Sequence, residues 1–302
     1  MTELARMRQS PWNTERVQEW IAKTGGVFST DEKNKLKALS ALIEPAHMNL
    51  AEAYAIRYKE KMWEKTTKKH TARKTRLCQS IIRSFEKRFS VLWQQEEPKL
   101  VALRQHLFNK KHIIERALRI IHHLTGARMF SAYGTIPIYL TISSSRKKDV
   151  VGWFSRFNNR TDLVLECSGL SADNYLEPIF VHELFHYAVE KSASLKHDIE
   201  TTARQEQKAL VAISDGMPPT LALEELLLSS FVPEGYLSQL FFGTRITPKK
   251  RIETGKNKDS FASARTYCAH QLRKMTQAYI NSKRKIDKNY LLSLIDAIKN
   301  GR

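Results

Sequence analysis

The hydrophobic period of this chain changes twice, and that constrains its fold more than any other sequence feature. Over residues 13–125 apolar residues recur at helical spacing. Asp31 to Glu44 aligns Leu36, Leu39, Leu42 and Ile43. A second helix is expected from Lys99 to Leu124, aligning Leu103, Leu107, Ile114, Leu118 and Ile121, with Gly126 at its C-terminal stop. The period then shortens. Ile136–Ile142 and Thr161–Cys167 are β-branched or alternating runs that predict strands, with Val150–Phe154 a weaker third. Ser143–Lys148 and Asn158–Arg160 read as the turns between them. After Cys167 the helical period returns. This order predicts an α+β fold in three stretches: a basic helical region over 1–130, a small mixed sheet with helices over 131–242, and a basic helical region over 243–302.

Composition removes several classes. Of 302 residues 42% are apolar, and 13 Phe, 10 Tyr and 5 Trp exceed what a disordered chain carries. The most apolar long stretch, Leu221–Phe242, holds Glu224, Glu225, Pro233 and Glu234, which excludes a membrane span there. The opening Met1–Arg6 has no apolar core of a signal peptide. Cys78, Cys167 and Cys268 are odd in number and lack C-x-x-C spacing, so they read as reduced thiols, with no disulfide framework. A cytoplasmic location, or delivery by a signal-peptide-independent secretion system, follows as the expectation.

The formal charge of +19 is segregated. Residues 1–130 carry 26 Lys+Arg against 13 Asp+Glu, residues 131–240 carry 9 against 14, and residues 241–302 carry 15 against 4. An acidic middle lies between basic flanks. From Arg57 to Phe89 cations interleave with aromatics, and Arg273, Lys274, Lys283, Arg284, Lys285 and Lys288 form a similar run. Such faces attract an anionic partner, nucleic acid or an acidic protein surface, without reading sequence. Helical charge runs are also commonly solvated faces over a packed apolar side. His122 and His123 are adjacent and cannot share one helical face, so the pair reads as non-functional.

The candidate chemistry lies in the acidic middle. A helix is expected after Asp173 or Asn174 as N-cap, with Pro178 in its first turn. It contains His182-Glu183-Leu184-Phe185-His186. Histidines four apart lie one turn from each other on one face, so both imidazoles can reach one Zn²⁺ at about 2.0–2.1 Å. Glu183 directly follows the first and can take the proton of a zinc-bound water without being a ligand. With 10 His and 22 Glu in the chain, this five-residue pattern has a chance expectation of about 0.02. Ile179, Phe180, Val181, Leu184 and Phe185 make the helix apolar on most sides, which argues against idle surface histidines.

This motif, on a helix preceded by a short sheet, resembles the zincin metallopeptidases. The resemblance implies a zinc-dependent metalloendopeptidase with His182 and His186 as ligands and Glu183 as general base. It also implies a sheet-edge strand, here within 150–167, that pairs with an extended peptide substrate. The metzincin branch would place a histidine where Ser192 stands, and His197 reads as a loop residue. The gluzincin branch takes a glutamate from a later helix. Glu206 has a spacing close to the thermolysin-like one, and Glu224-Glu225 lies in a helix apolar almost all round, where a buried carboxylate needs a partner. Glu225 is favoured, with Glu224 and Glu206 as alternatives and Ser229 as a supporting donor. Phe231–Leu237 also loosely resembles the segment after the zinc-binding glutamate of ImmA/IrrE-type peptidase domains. Tyr236 is the candidate donor to a developing oxyanion. The competing expectation is a non-catalytic nucleic-acid- or protein-binding module on a zincin-like core.

Overall fold

The computed structural model describes residues 19, 21–43, 72–127, 136–142, 150–157, 160–167, 175–254 and 260–301. The fold is α+β. All three expected strands are present: β1 (Ile138–Ile142), β2 (Val150–Phe157) and β3 (Arg160–Cys167). Their spatial order is β1-β3-β2, so the sheet is mixed, with β1 parallel and β2 antiparallel to β3. The central strand is β3, and its Leu163, Val164, Leu165 and Cys167 are all buried. Buried on both faces, it reads as a continuous apolar run where a half-exposed strand would alternate. The strand immediately before the motif helix is therefore internal, and β2 lies at an edge.

Helices precede and follow this sheet. α1 (Thr30–Ile43) opens with a reciprocal capping box, in which Glu32 N–H donates to Ser29 Oγ at 3.2 Å and Ser29 N–H to Glu32 Oε2 at 2.8 Å. α2 (Ala72–Ser84) follows. The helix expected over Lys99–Leu124 is in fact two, α3 (Glu86–Asn109) and α4 (Lys111–Thr125), parted at Lys110 with φ −92° and ψ 4°. Leu107 and Ile114 keep heptad register across the break, so apolar spacing alone hides it. Gly126 ends α4 in the left-handed region at φ 70°, as expected.

The remaining helices are α5 (Leu176–Glu190), α6 (Ala193–Gln205), α7 (Gln207–Val211), α8 (Pro219–Phe231), α9 (Tyr236–Phe242), α10 (Ser260–Gln271), α11 (Arg273–Asn281) and α12 (Lys288–Gly301). One apolar cluster runs from Leu103 in α3 to Ile298 in α12 and includes β3, α5, α6 and α8. Polar ties fix α5 within it. Glu177 is buried and pairs with His106 Nε2 of α3 at 2.9 Å, and Ser192 Oγ donates to the Thr125 carbonyl at 2.6 Å. Cys167 and Cys268 are free thiols, and burial pushes both up to about 12. Among the described residues no helix is long and apolar enough to cross a membrane. The interleaved run over 57–69, the turns over 143–148 and 158–159, and Asp173 and Asn174 lie outside the described residues.

Candidate metal centre

α5 carries the histidine motif deep in the core. His182 and Glu183 are buried, and His186 is part-buried. The two imidazoles meet edge to face with centroids 4.9 Å apart. α8 brings the third group. It starts at Pro218-Pro219, where proline's fixed φ and missing N–H suit a first turn, and Pro233 follows its end. Glu225 Oε1 lies 3.1 Å from His186 Nε2, and Oε2 lies 3.3 Å from His182 Nε2. Ligand atoms of His182, His186 and Glu225 all fall within 4.8 Å of one another, a group able to hold a metal ion.

The opposite ring nitrogens decide what these contacts mean. His182 Nδ1 donates to the Val232 carbonyl at 2.8 Å, and His186 Nδ1 donates to Glu224 Oε1 at 2.7 Å. Both N–H protons of the neutral rings are thus committed on the outer side. Facing Glu225, both Nε2 atoms can either carry a proton donated to the carboxylate or, on neutral rings, offer a lone pair that shares a metal ion with it. Bonds of about 2.0–2.2 Å from one tetrahedral centre place neighbouring ligand atoms about 3.3–3.5 Å apart. The 3.1 and 3.3 Å separations are close to those edges, so the donor set fits a metal.

Adjacent carboxylates therefore do different work. Glu225 faces the converging nitrogens, and Glu224 holds the back of His186. Val232 has left the helix at φ −157°, and its carbonyl, one of the acceptors a helix end leaves open, receives His182. Burial opposes charge on both rings. Hydrogen bonds and negative charge outweigh it, Glu225 for His182 and Glu224 with Glu225 for His186, and raise both above the usual histidine value. Burial also pushes Glu225 up, but the two histidines hold it well below the usual carboxylate range. Glu183 moves the other way, because burial outweighs the histidines and raises it.

Glu183 has a neighbour that sequence reasoning overlooked. Gly152 of β2 lies against its side chain, and a β-carbon there would overlap Cγ and stand 2.7 Å from Oε1. A glycine inside a strand signals close approach, which was the available clue. Glu206 and His197 are not part of the His182, His186 and Glu225 group. Glu206 caps the join of α6 and α7 and pairs with Lys299 at 2.8 Å, outside the cluster. His197 is exposed within α6, which begins at Ala193, so the loop expected there is helical. Ser229 is fully buried, and its hydroxyl has no hydrogen-bond partner among the described residues. Tyr236 opens α9, part-buried against the apolar cluster. No family model, curated protein or solved structure matches the chain.

Proposed function

We propose that this chain is a zinc-dependent peptidase of the zincin type, hydrolysing peptide bonds with Glu183 as general base. The observation that carries the reading is the convergence of both Nε2 atoms and the Glu225 carboxylate, with Nδ1 protons turned outward. Two histidines and one glutamate match the protein donors of catalytic zinc sites, which keep a fourth position open. A zinc ion held there supplies Lewis-acid polarisation of a carbonyl and of water.

The chain's own groups supply the rest. Glu183, raised by burial, takes a proton from the attacking water and returns it to the leaving amine. Gly152 leaves the space in which that carboxylate lies against β2. Edge strand β2, unpaired on its outer side among the described residues, offers backbone donors and acceptors to an extended peptide. A metal-binding module without turnover would use the same three ligands. A buried carboxylate of raised pKa beside them favours the enzyme.

The test compares wild type with two variants, reading bound zinc and new N-termini generated in a proteome digest. Glu183→Gln should retain zinc and lose cleavage by about 10²–10⁴-fold. Glu225→Gln should lose zinc itself. Unchanged cleavage in Glu183→Gln would overturn the mechanism, and a native preparation without zinc would overturn the centre.

A further inference from the structure

His182 is held from behind by a backbone carbonyl, and a carbonyl is only as fixed as the chain that carries it. That carbonyl belongs to Val232, the first residue past α8, whose own N–H still donates to the Leu228 carbonyl at 2.8 Å. His186 differs, because its Nδ1 rests on the Glu224 side chain within α8 itself. One ring is therefore oriented by a helix side chain. The other depends on the turn that joins α8 to α9.

That turn is fixed at both ends. Gly235 lies with its backbone directly on that of Ser230. A β-carbon there would overlap the Ser230 carbonyl and stand 2.5 Å from the Phe231 nitrogen, and main chain cannot swing aside as the tip of a side chain can. The φ of −97° at Gly235 is open to any residue, so the requirement is one of space, a close approach of two backbones. Ser230 is itself tied to α12, with its Oγ 2.8 Å from the Tyr290 hydroxyl. Glu234 pairs with Arg265 of α10, Oε1 to Nε at 3.4 Å, and both side chains are part-buried. The Arg265 guanidinium lies over the Phe261 ring one helical turn away, 5.8 Å from its centroid. Val232, between Ser230 and Glu234 in the chain, is fully buried.

We propose that Gly235 and the Glu234–Arg265 pair are positioning residues of the metal centre, fixing the turn that presents the Val232 carbonyl to His182 Nδ1. Gly235 closes the turn, and Arg265 bolts its far side to the C-terminal helices. A carbonyl that accepts from Nδ1 sets both the tautomer and the tilt of the ring, which leaves Nε2 facing Glu225. The basic C-terminal flank thus reaches the centre through one carbonyl. These roles rest on the metal centre of the proposed function and not on peptide cleavage.

The test reads the two histidines separately. Nitrogen–proton correlation NMR of the imidazoles in the full chain, with and without zinc, follows each Nδ1–H, and chelator competition gives zinc affinity. Gly235→Ala should shift or erase the His182 signal and leave that of His186 in place. It should also weaken zinc binding about 10–100-fold, as loss of an outer histidine partner does. A general loss of packing would move both signals together. Should Gly235→Ala fail to fold, Arg265→Gln carries the test: it should shift the His182 signal alone and weaken zinc about two- to fivefold, the range of a part-exposed ion pair. Glu234→Gln should do the same, and the double variant should be no weaker than either single one, since the two side chains form one link. The positioning roles are refuted if the His182 signal holds in these variants, if both histidine signals move together, or if the Glu234 and Arg265 losses add. A chain that binds no zinc, but whose His182 signal responds as stated, would refute the centre and leave the hold of the turn on His182 standing.

Discussion

The two ends of the chain are both strongly basic, yet they are held by different physics. The C-terminal helices turn their charges outward and give the core Phe261, Tyr267, Leu272, Tyr279, Tyr290, Leu294 and Ile298, among others. Tyr290 is fully buried, stacks on Phe231 of α8 at 5.2 Å, and meets the hydroxyls of Ser230 and Thr276 at 2.8 and 2.7 Å. Phe231 and Ser230 lie just beyond Glu225 on the same helix. At the other end α1 is joined to α3 by an arginine clamp. Arg88 donates to both Glu32 oxygens, at 2.7 and 3.0 Å, and to the Thr24 and Gly26 carbonyls, at 3.2 and 2.9 Å. Net charge did not separate the two ends. What separates α1 from the C-terminal helices is whether the face behind the charge is buried in the apolar cluster, which α3 and α4 of the N-terminal stretch also share.

The largest expected effect tests that difference directly. Tyr290→Ala should cost about 3–5 kcal/mol in chemical denaturation, the range for deleting a large buried ring, and the zinc of the proposed centre should dissociate more readily from the folded variant. Tyr290→Phe keeps the stack. The Ser230 and Thr276 hydroxyls already donate to the Leu227 and Leu272 carbonyls, so no donor is stranded and the loss should be about 1 kcal/mol. Arg88→Ala should leave zinc content at the wild-type level. If Arg88→Ala released zinc and Tyr290→Ala did not, the assignment of support to the C-terminal flank would be reversed.

Next in size is the carboxylate behind His186. Glu224→Gln should weaken zinc affinity about 10–100-fold, the usual consequence of losing an outer partner of a ligating histidine. Glu206→Gln should leave it unchanged, since Glu206 is engaged with Lys299 on α12. Competition against a chromophoric chelator measures both. Equal losses would mean that the affinity reflects general negative charge and not the hydrogen bond to Nδ1.

These assignments also mark what the sequence could reveal. His182 and His186 were legible because helical spacing alone sets their relation. The third member of the cluster depended on tertiary structure. Glu224 stands 38 residues from His186, and spacing cannot say which of two neighbouring glutamates faces the nitrogens and which stands behind them. The Val232 carbonyl left no trace in side-chain chemistry at all. The three strands were legible from composition, but their order β1-β3-β2 was not, because β-branched runs do not specify partners. The C-terminal run read as a charged surface because lysines dominate it, while tyrosines and leucines between them carry the packing.

The smallest effect sharpens the comparison from the N-terminal side and has a defined sign. Glu32 is held at about 2 against its ordinary 4.5, chiefly by the Arg88 hydrogen bond and then by the Ser29 N–H, with burial opposing. A carboxylate depressed on folding contributes stability that is complete above its ordinary value. That contribution fades as pH falls from about 4.5 towards about 2. The clamp should therefore open in acid through this window. An NMR titration of the Arg88 side-chain N–H signals should show a midpoint near 2, and Arg88→Lys should move the Glu32 midpoint back towards 4.5, because lysine cannot bridge both oxygens. A midpoint already near 4.5 in the wild type would show that the clamp does not hold in solution. The joining of α1 to α3 would then rest on the edge-to-face contact of Phe28 and Phe85 at 5.8 Å.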